Sequence, residues 1–390
     1  MGKRFQWTFA AVLAGAVAGC LAKVPAAAPF PRVPEVTRNL MVGFKTGAPP
    51  KLLQVDGTDL TQTKTLFMGS PVGFYQMPSS APVSAVLGLL RQRPDVSWVQ
   101  QDSVQRPSTW PNDPDLWLQW AFGTTYLDPD PLWQRNIDAS HVTVAVLDTG
   151  IDPYHPEFAG RLLMGLNALT GHTDSEDTDG HGTHVAGIIG AAGNNGIGVA
   201  GVCWQCQLLS VKVLDKDGGD DEEALQGIVY AVNNGAQVIN MSFNSEATST
   251  NDAYQRAIAY ALSRNVVVVA AAGNDGGAVT QPANTPGLLA VAATTQANTL
   301  AIYSNRGPQV GIAAPGDAIF STLPDDSYGA DTGTSMAAPF VSGAAAILRA
   351  EHPSWSATEI IDALESATDP VVSLSDPTLR IGRLDLSKLP

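Results

Sequence analysis

Basic side chains are scarce in this chain. Lys and Arg number 22 against 37 Asp and Glu, a net charge of −15 over 390 residues. A surface of that sign repels phosphate backbones and excludes a nucleic-acid partner. Charged residues of both signs make up only 15% while apolar ones reach 44%, which excludes a disordered or fibrous chain. Beyond the first twenty residues no apolar run reaches the roughly 18 needed to cross a bilayer. Cysteine is rare, three residues in all, and no internal repeat is evident. What remains is a soluble, acidic, globular protein of two or three domains at roughly 100–200 residues each.

The chain starts with an export signal. Lys3 and Arg4 precede residues 5–19, which are apolar or small apart from Gln6 and Thr8. That stretch is too short to span a membrane. It ends Val17-Ala18-Gly19-Cys20, which resembles a bacterial lipoprotein box with Cys20 as the acylated residue. The alternative is ordinary cleavage after Ala26-Ala27-Ala28, which discards Cys20. Acylation tethers a protein to a membrane surface without inserting it. It would also leave Cys203 and Cys206 as an even pair in an oxidising compartment. Residues 21–34, rich in Pro and Ala, serve as a spacer.

Charge divides the remainder. Residues 23–106 carry nine Lys/Arg and five Asp/Glu, whereas residues 107–390 carry 11 and 32. A small basic domain, 35–106, thus precedes a large acidic one, 107–390. In the small domain 40–44, 73–76 and 96–100 read as strands and 83–91 as a helix, an α+β module. In the large one 141–147, 208–214, 237–241, 266–271 and 288–292 are near-continuously apolar and β-branched, as buried parallel strands are. Helical periodicity fills 222–232 and 253–264 between them. A capping box at Ser356-Ala357-Thr358-Glu359 opens one more helix. Alternating strands and helices predict an α/β domain, a mostly parallel sheet with helices on both faces.

Three motifs carry chemistry. The first strand ends Leu147-Asp148-Thr149-Gly150, placing Asp148 where parallel sheets build their sites. Asp179-Gly180-His181-Gly182-Thr183-His184 runs into an Ala/Gly-rich helix. Gly333-Thr334-Ser335-Met336-Ala337-Ala338-Pro339 opens a long helix reaching about Glu351, which aims free N–H groups and the positive dipole end at whatever Ser335 attacks. Singly, each is an ordinary turn or cap residue. Together an Asp, a His and a Ser at one sheet edge suit nucleophilic acyl transfer. Zinc is disfavoured, since no Glu stands between His181 and His184 and no Cys/His cluster follows. Two Asp-Thr-Gly triplets, at 148–150 and 331–333, suggest a two-lobed aspartic protease instead. That reading fails because 323–330 is polar and turn-like and both histidines would be idle.

These motifs resemble the catalytic blocks of the subtilisin-like serine proteases, in the order Asp, His, Ser. Ala271-Ala272-Gly273-Asn274, Ser304-Asn305-Arg306-Gly307-Pro308 and Ala313-Ala314-Pro315-Gly316 extend the resemblance over about 111–390. It implies Ser335 as nucleophile, His181 as general base and acid, Asp148 as orienter, and Asn274 with the Ser335 N–H as oxyanion donors. Peptide substrate would pair with Gly218, Gly219 and Asp220 on one side and Ser242, Phe243 and Asn244 on the other. Asp220-Asp221-Glu222-Glu223 then either selects Lys or Arg at P2 to P4 or simply suits a helix N-terminus. Asn244 replaces a familiar Gly. The small domain resembles an inhibitory propeptide, cut by Ser335 near 104–110 to give an exported endopeptidase.

The resemblance also implies structural calcium at the loop 193–199, through Gly193, Asn195, Ile197 and Val199 with Asp113 and Glu157. Glu157 stands where relatives often use Asp. Cys203-Trp204-Gln205-Cys206 reads as a local disulfide, or as a redox pair if a thioredoxin-like context surrounds it, which none does. A neutral His181 predicts activity falling below about pH 6–7. A catalytically dead, binding-only relative would lack a triad or oxyanion residue, and all four are present.

Overall fold

The computed structural model describes residues 36–67, 69–78, 81–103, 110–245, 247–249, 251–371 and 381–390. Cys20, the export signal and the spacer lie outside the described residues. The chain falls into two compact units that divide between Ser108 and Thr109.

The first unit runs β1 (Val36–Phe44), β2 (Leu52–Val55), β3 (Thr58–Phe67), β4 (Pro71–Gln76), α1 (Val83–Arg91) and β5 (Val96–Ser103). The strands form an antiparallel sheet in the order β2-β3-β4-β1-β5. Val55 pairs directly with Thr58 across Asp56-Gly57, both with positive φ, a two-residue hairpin of the kind Asp-Gly favours. Helix α1 turns Val86 and Leu90 into a core with Leu40, Val42, Leu60 and Tyr75.

In the second unit α2 (Asp130–Trp133) leads into β6 (Thr143–Asp148) and β7 (Leu162–Asn167). Then come α3 (His181–Gly190), β8 (Gln207–Lys212), α4 (Asp221–Asn233), β9 (Val238–Met241), α5 (Asp252–Ser263), β10 (Val267–Ala271) and β11 (Leu289–Thr294). β12 (Val310–Pro315), β13 (Ile319–Leu323) and β14 (Ser327–Asp331) precede α6 (Thr334–Glu351) and α7 (Ala357–Ser366), and β15 (Thr368–Pro370) and β16 (Gly382–Leu384) close the chain. Nine strands form one sheet, β15-β16-β12-β11-β10-β9-β6-β8-β7, in which β15 alone pairs antiparallel. Its central strands are buried throughout, and successive residues feed opposite cores. Val144 and Val146 pack with α3, α6 and α7, while Ala145 and Leu147 pack with α4 and α5. The architecture is the doubly wound α/β domain that strand–helix alternation predicts.

Strand order positions the site. From β6 the chain builds β7 and β8 on one side, then returns to add β9 to β12 on the other. The carboxyl ends of β6, β8 and β9 therefore meet at a topological switch point, where open α/β sheets bind ligands. Asp148 ends β6. The segment 323–330, expected to be turn-like, turns only at 324–326 and continues as strand β14, so the second triplet does follow a strand. That strand belongs to the separate β13–β14 hairpin, which packs on α3. The second Asp-Thr-Gly triplet thus belongs to a different sheet from the first.

Candidate active site

Asp148 is fully buried, and its Oδ1 accepts two hydrogen bonds at 2.7 Å, from the Thr149 N–H and from His181 Nδ1. Its Oδ2 has no partner among the described residues. His181 is the first residue of α3, following Gly180 with φ 114°, a left-handed turn that suits glycine. The bond to Asp148 fixes the proton on Nδ1 and leaves Nε2 as the acceptor. Burial works against charge on His181. The charge and hydrogen bond of Asp148, with help from Asp331 and Asp179, outweigh it and raise the pKa to about 9. One turn on, burial lowers buried His184 to about 4, and its Nε2 lies 3.2 Å from the Gly329 carbonyl oxygen. It is a packing histidine and not a ligand.

Ser335 is the second residue of α6. Its hydroxyl donates to the Ser242 carbonyl at 2.9 Å and not to His181, and the Ser242 hydroxyl donates back to the Ser335 carbonyl at 2.9 Å. That carbonyl is free because Pro339, the sixth residue of the helix, has no N–H to return to it. Pro339 thus lies beyond the first turn, and Ser242 compensates for the bond it removes. Asn240 Nδ2 in turn donates to the Ser242 hydroxyl at 2.9 Å.

Asn274 follows β10 and Gly273, whose φ of 107° admits no side chain cheaply; a Cβ there would meet Asn305 Nδ2 at 2.3 Å. Asn274 Oδ1 accepts from the Thr334 N–H at 2.8 Å and the Thr334 hydroxyl at 2.9 Å. With its oxygen held twice, the amide must present Nδ2 as a donor. Thr334 was not singled out among the candidates, although it adjoins Ser335 in the same motif.

Gly218, Gly219 and Asp220 follow β8, and Ser242, Phe243 and Asn244 follow β9, flanking the end of β6. Phe243 turns its ring into the core on the α4–α5 side. The four acids serve α4: Asp220 and Glu223 form a capping box, with the Asp220 N–H donating to Glu223 at 2.9 Å. Asp221 accepts from Asn251 at 3.2 Å and Glu222 from Gln226 at 3.1 Å.

A model of the subtilase family matches residues 139–380. Subtilisin E of Bacillus subtilis strain 168 is 38% identical over 284 residues, 71% of this chain and 71% of its own. The chain belongs to the subtilase family. A Bacillus pumilus subtilisin is 42% identical over 252 residues, 63% of this chain and 90% of the relative. Among solved structures, a protease of Pseudoalteromonas arctica aligns with a TM-score of 0.66 at 33% identity, covering 72% of this chain and 98% of its own. The protein is a subtilisin-like serine endopeptidase.

One expectation drawn from the subtilase resemblance, the Cys203–Cys206 disulfide, is not met. Of the proposed calcium ligands, Asp113, Glu157 and Asn195 do gather at the loop from Gly193 onward. Glu157 Oε1 accepts from the Val199 N–H at 2.9 Å and Tyr328 OH at 3.2 Å, and its Oε2 accepts from Asn195 Nδ2 at 2.8 Å. Asp113 accepts from the N–H groups of Asn194, Asn195 and Gly196 at 2.7, 3.1 and 3.3 Å. The Ile197 N–H donates to Asn195 Oδ1 at 3.0 Å, so that side chain turns its amino group onto Glu157. Burial raises the Glu157 carboxyl to about 7 against those donors. N–H donors of the loop from Gly193 onward close it onto Asp113 and Glu157.

In this structure Cys203 and Cys206 are two buried thiols and not a disulfide: the Cys206 thiol donates to the Cys203 carbonyl at 3.0 Å, and the two thiols lie side by side within hydrogen-bond reach.

Proposed function

We propose that Ser335 is the nucleophile, His181 its base and Asp148 the group that orients and charge-balances the imidazole. The observation that carries this reading is the 2.7 Å Asp148–His181 contact at the start of α3, with Ser335 at the start of α6, the helix that packs on α3. On this mechanism the Ser335 hydroxyl leaves its resting bond to the Ser242 carbonyl for one to His181 Nε2. Contacts in a free enzyme commonly tighten this way when substrate arrives. The hydroxyl proton passes to Nε2 as Oγ attacks the peptide carbonyl. The imidazolium then returns it to the departing amine, and water repeats the cycle on the acyl-enzyme. Asn274 Nδ2 and the Ser335 N–H hold the oxyanion.

Residues 35–106 act as an inhibitory propeptide on this reading and 107–390 as the peptidase, with Ser335 making the cut near 104–110. A first unit with its own core supports it. The basic start of the chain and the run ending at Cys20 support export with acylation at that cysteine. Asp220 and Glu222, exposed on the first turn of α4, support a preference for Lys or Arg at P2 to P4.

The test is Ser335→Ala in the full chain. It should stay a single uncut precursor and leave peptide amides intact. Processing and turnover at the unsubstituted rate would end the assignment. A peptide-library profile indifferent to charge at P2 to P4 would remove the substrate preference alone.

A further inference from the structure

Asp177 is buried at 5% exposure, belongs to none of the motifs, and lies four residues before His181. Five donors converge on its carboxylate. Oδ1 accepts from the Thr149 hydroxyl at 2.9 Å and from the N–H groups of Asp179 at 2.9 Å and Gly180 at 3.0 Å. Oδ2 accepts from the Thr183 N–H at 2.9 Å and the Thr183 hydroxyl at 2.6 Å. We propose that Asp177 is a positioning residue that, through the Thr149 hydroxyl, sets the catalytic Asp148 and His181 in register.

The head of α3 presents orphan N–H groups. A helix leaves its first N–H groups without internal partners, and the residue before this one, Gly180, has no side chain to offer. Three side chains take them instead. The His181 N–H goes to Asp179 at 3.3 Å, that of Gly182 to the Thr149 hydroxyl at 2.9 Å, and that of Thr183 to Asp177. Thr149 is the residue after Asp148, so its hydroxyl joins the end of β6 to the second residue of α3.

Donor and acceptor inventory fixes the direction of that link. A carboxylate only accepts, so Thr149 must give its one proton to Asp177, which turns its lone pairs toward the Gly182 N–H. Asp177 thereby dictates which way Thr149 faces. The approach it enforces is close: a Cβ on Gly182 would stand 2.1 Å from the Gly150 carbonyl oxygen and 3.1 Å from Asp148 Oδ1. Asp177 touches no reacting atom, and its effect on rate passes through the Asp148–His181 distance.

Four full-chain variants test this: Asp177→Asn, Thr149→Val, Thr149→Ser and the Asp177→Asn/Thr149→Val double. Each is assayed for kcat and KM on a chromogenic peptide well below its Tm. Thr149→Val, which keeps the shape and loses the hydroxyl, should lower kcat about tenfold or more with KM held within about twofold. Thr149→Ser should recover most of that loss. The double variant should be no slower than the slower single, because both break one path. A Val variant with unchanged kcat, a Ser variant no better than Val, or losses that multiply in the double would each overturn the proposal. If Asp177→Asn does not fold, the Val and Ser pair still decides.

Discussion

Replacing Asn274 tests whether its amide is a fixed donor or merely a neighbour of the serine. Its oxygen is bound by both donors of Thr334, at 2.8 and 2.9 Å, so Nδ2 needs no reorganisation to meet a developing negative charge. One such oxyanion donor is generally worth about 3–4 kcal/mol, or about 10² to 10³ in kcat. Asn274→Ala should therefore lose that much in kcat and leave KM nearly unchanged. Asn274→Asp is the sharper case. A carboxylate of the same shape can still accept both Thr334 bonds, but it presents an oxygen where Nδ2 stood. It should fall below the Ala variant at any pH where it is ionised. Thr334→Val, which frees the amide to turn, should cost about tenfold through kcat. Steady-state kinetics on a peptide p-nitroanilide reads all three. An Asp variant as fast as Ala, or losses confined to KM, would refute the reasoning.

Other outcomes follow from the same geometry. Because His181 is raised to about 9, the acid limb of kcat/KM should lie above pH 7, not at 6–7, and Asp331→Asn should move it to lower pH. The linkage has a definite sign: the stabilisation of protonated His181 is fully present below about 6.5 and is lost as pH rises through about 9. His184 acts oppositely, losing stability as pH falls through about 4, which thermal melts across pH can follow. Gly182→Ala forces a Cβ against the Gly150 carbonyl, so soluble yield and activity should both collapse, and a wild-type Tm would show the contact is softer than it looks.

The sheet and the triad were legible because each depends on short stretches of chain. Central strands such as Val267–Ala271 are buried on both faces and read as unbroken apolar runs. Asp148, His181 and Ser335 each sit at an element end whose motif builds its own turn. By contrast β3 is polar and mostly exposed, with Leu60 its single buried side chain, so only the Asp56-Gly57 turn marks it. The direction of hydrogen bonds was not legible either. Asn195 offers an oxygen or an amino group with equal ease, and the Ile197 N–H decides which. Likewise the shift at His181 depends on Asp331, 150 positions along the chain, and Asp177 gains its meaning only when five donors fold around it.

The most direct measurement of the central claim is covalent. Purified full-length protein, incubated with a fluorophosphonate and digested, should carry the label on Ser335 alone. His181→Ala should slow that labelling by orders of magnitude. A label on another residue, or equal labelling without His181, would contradict the account.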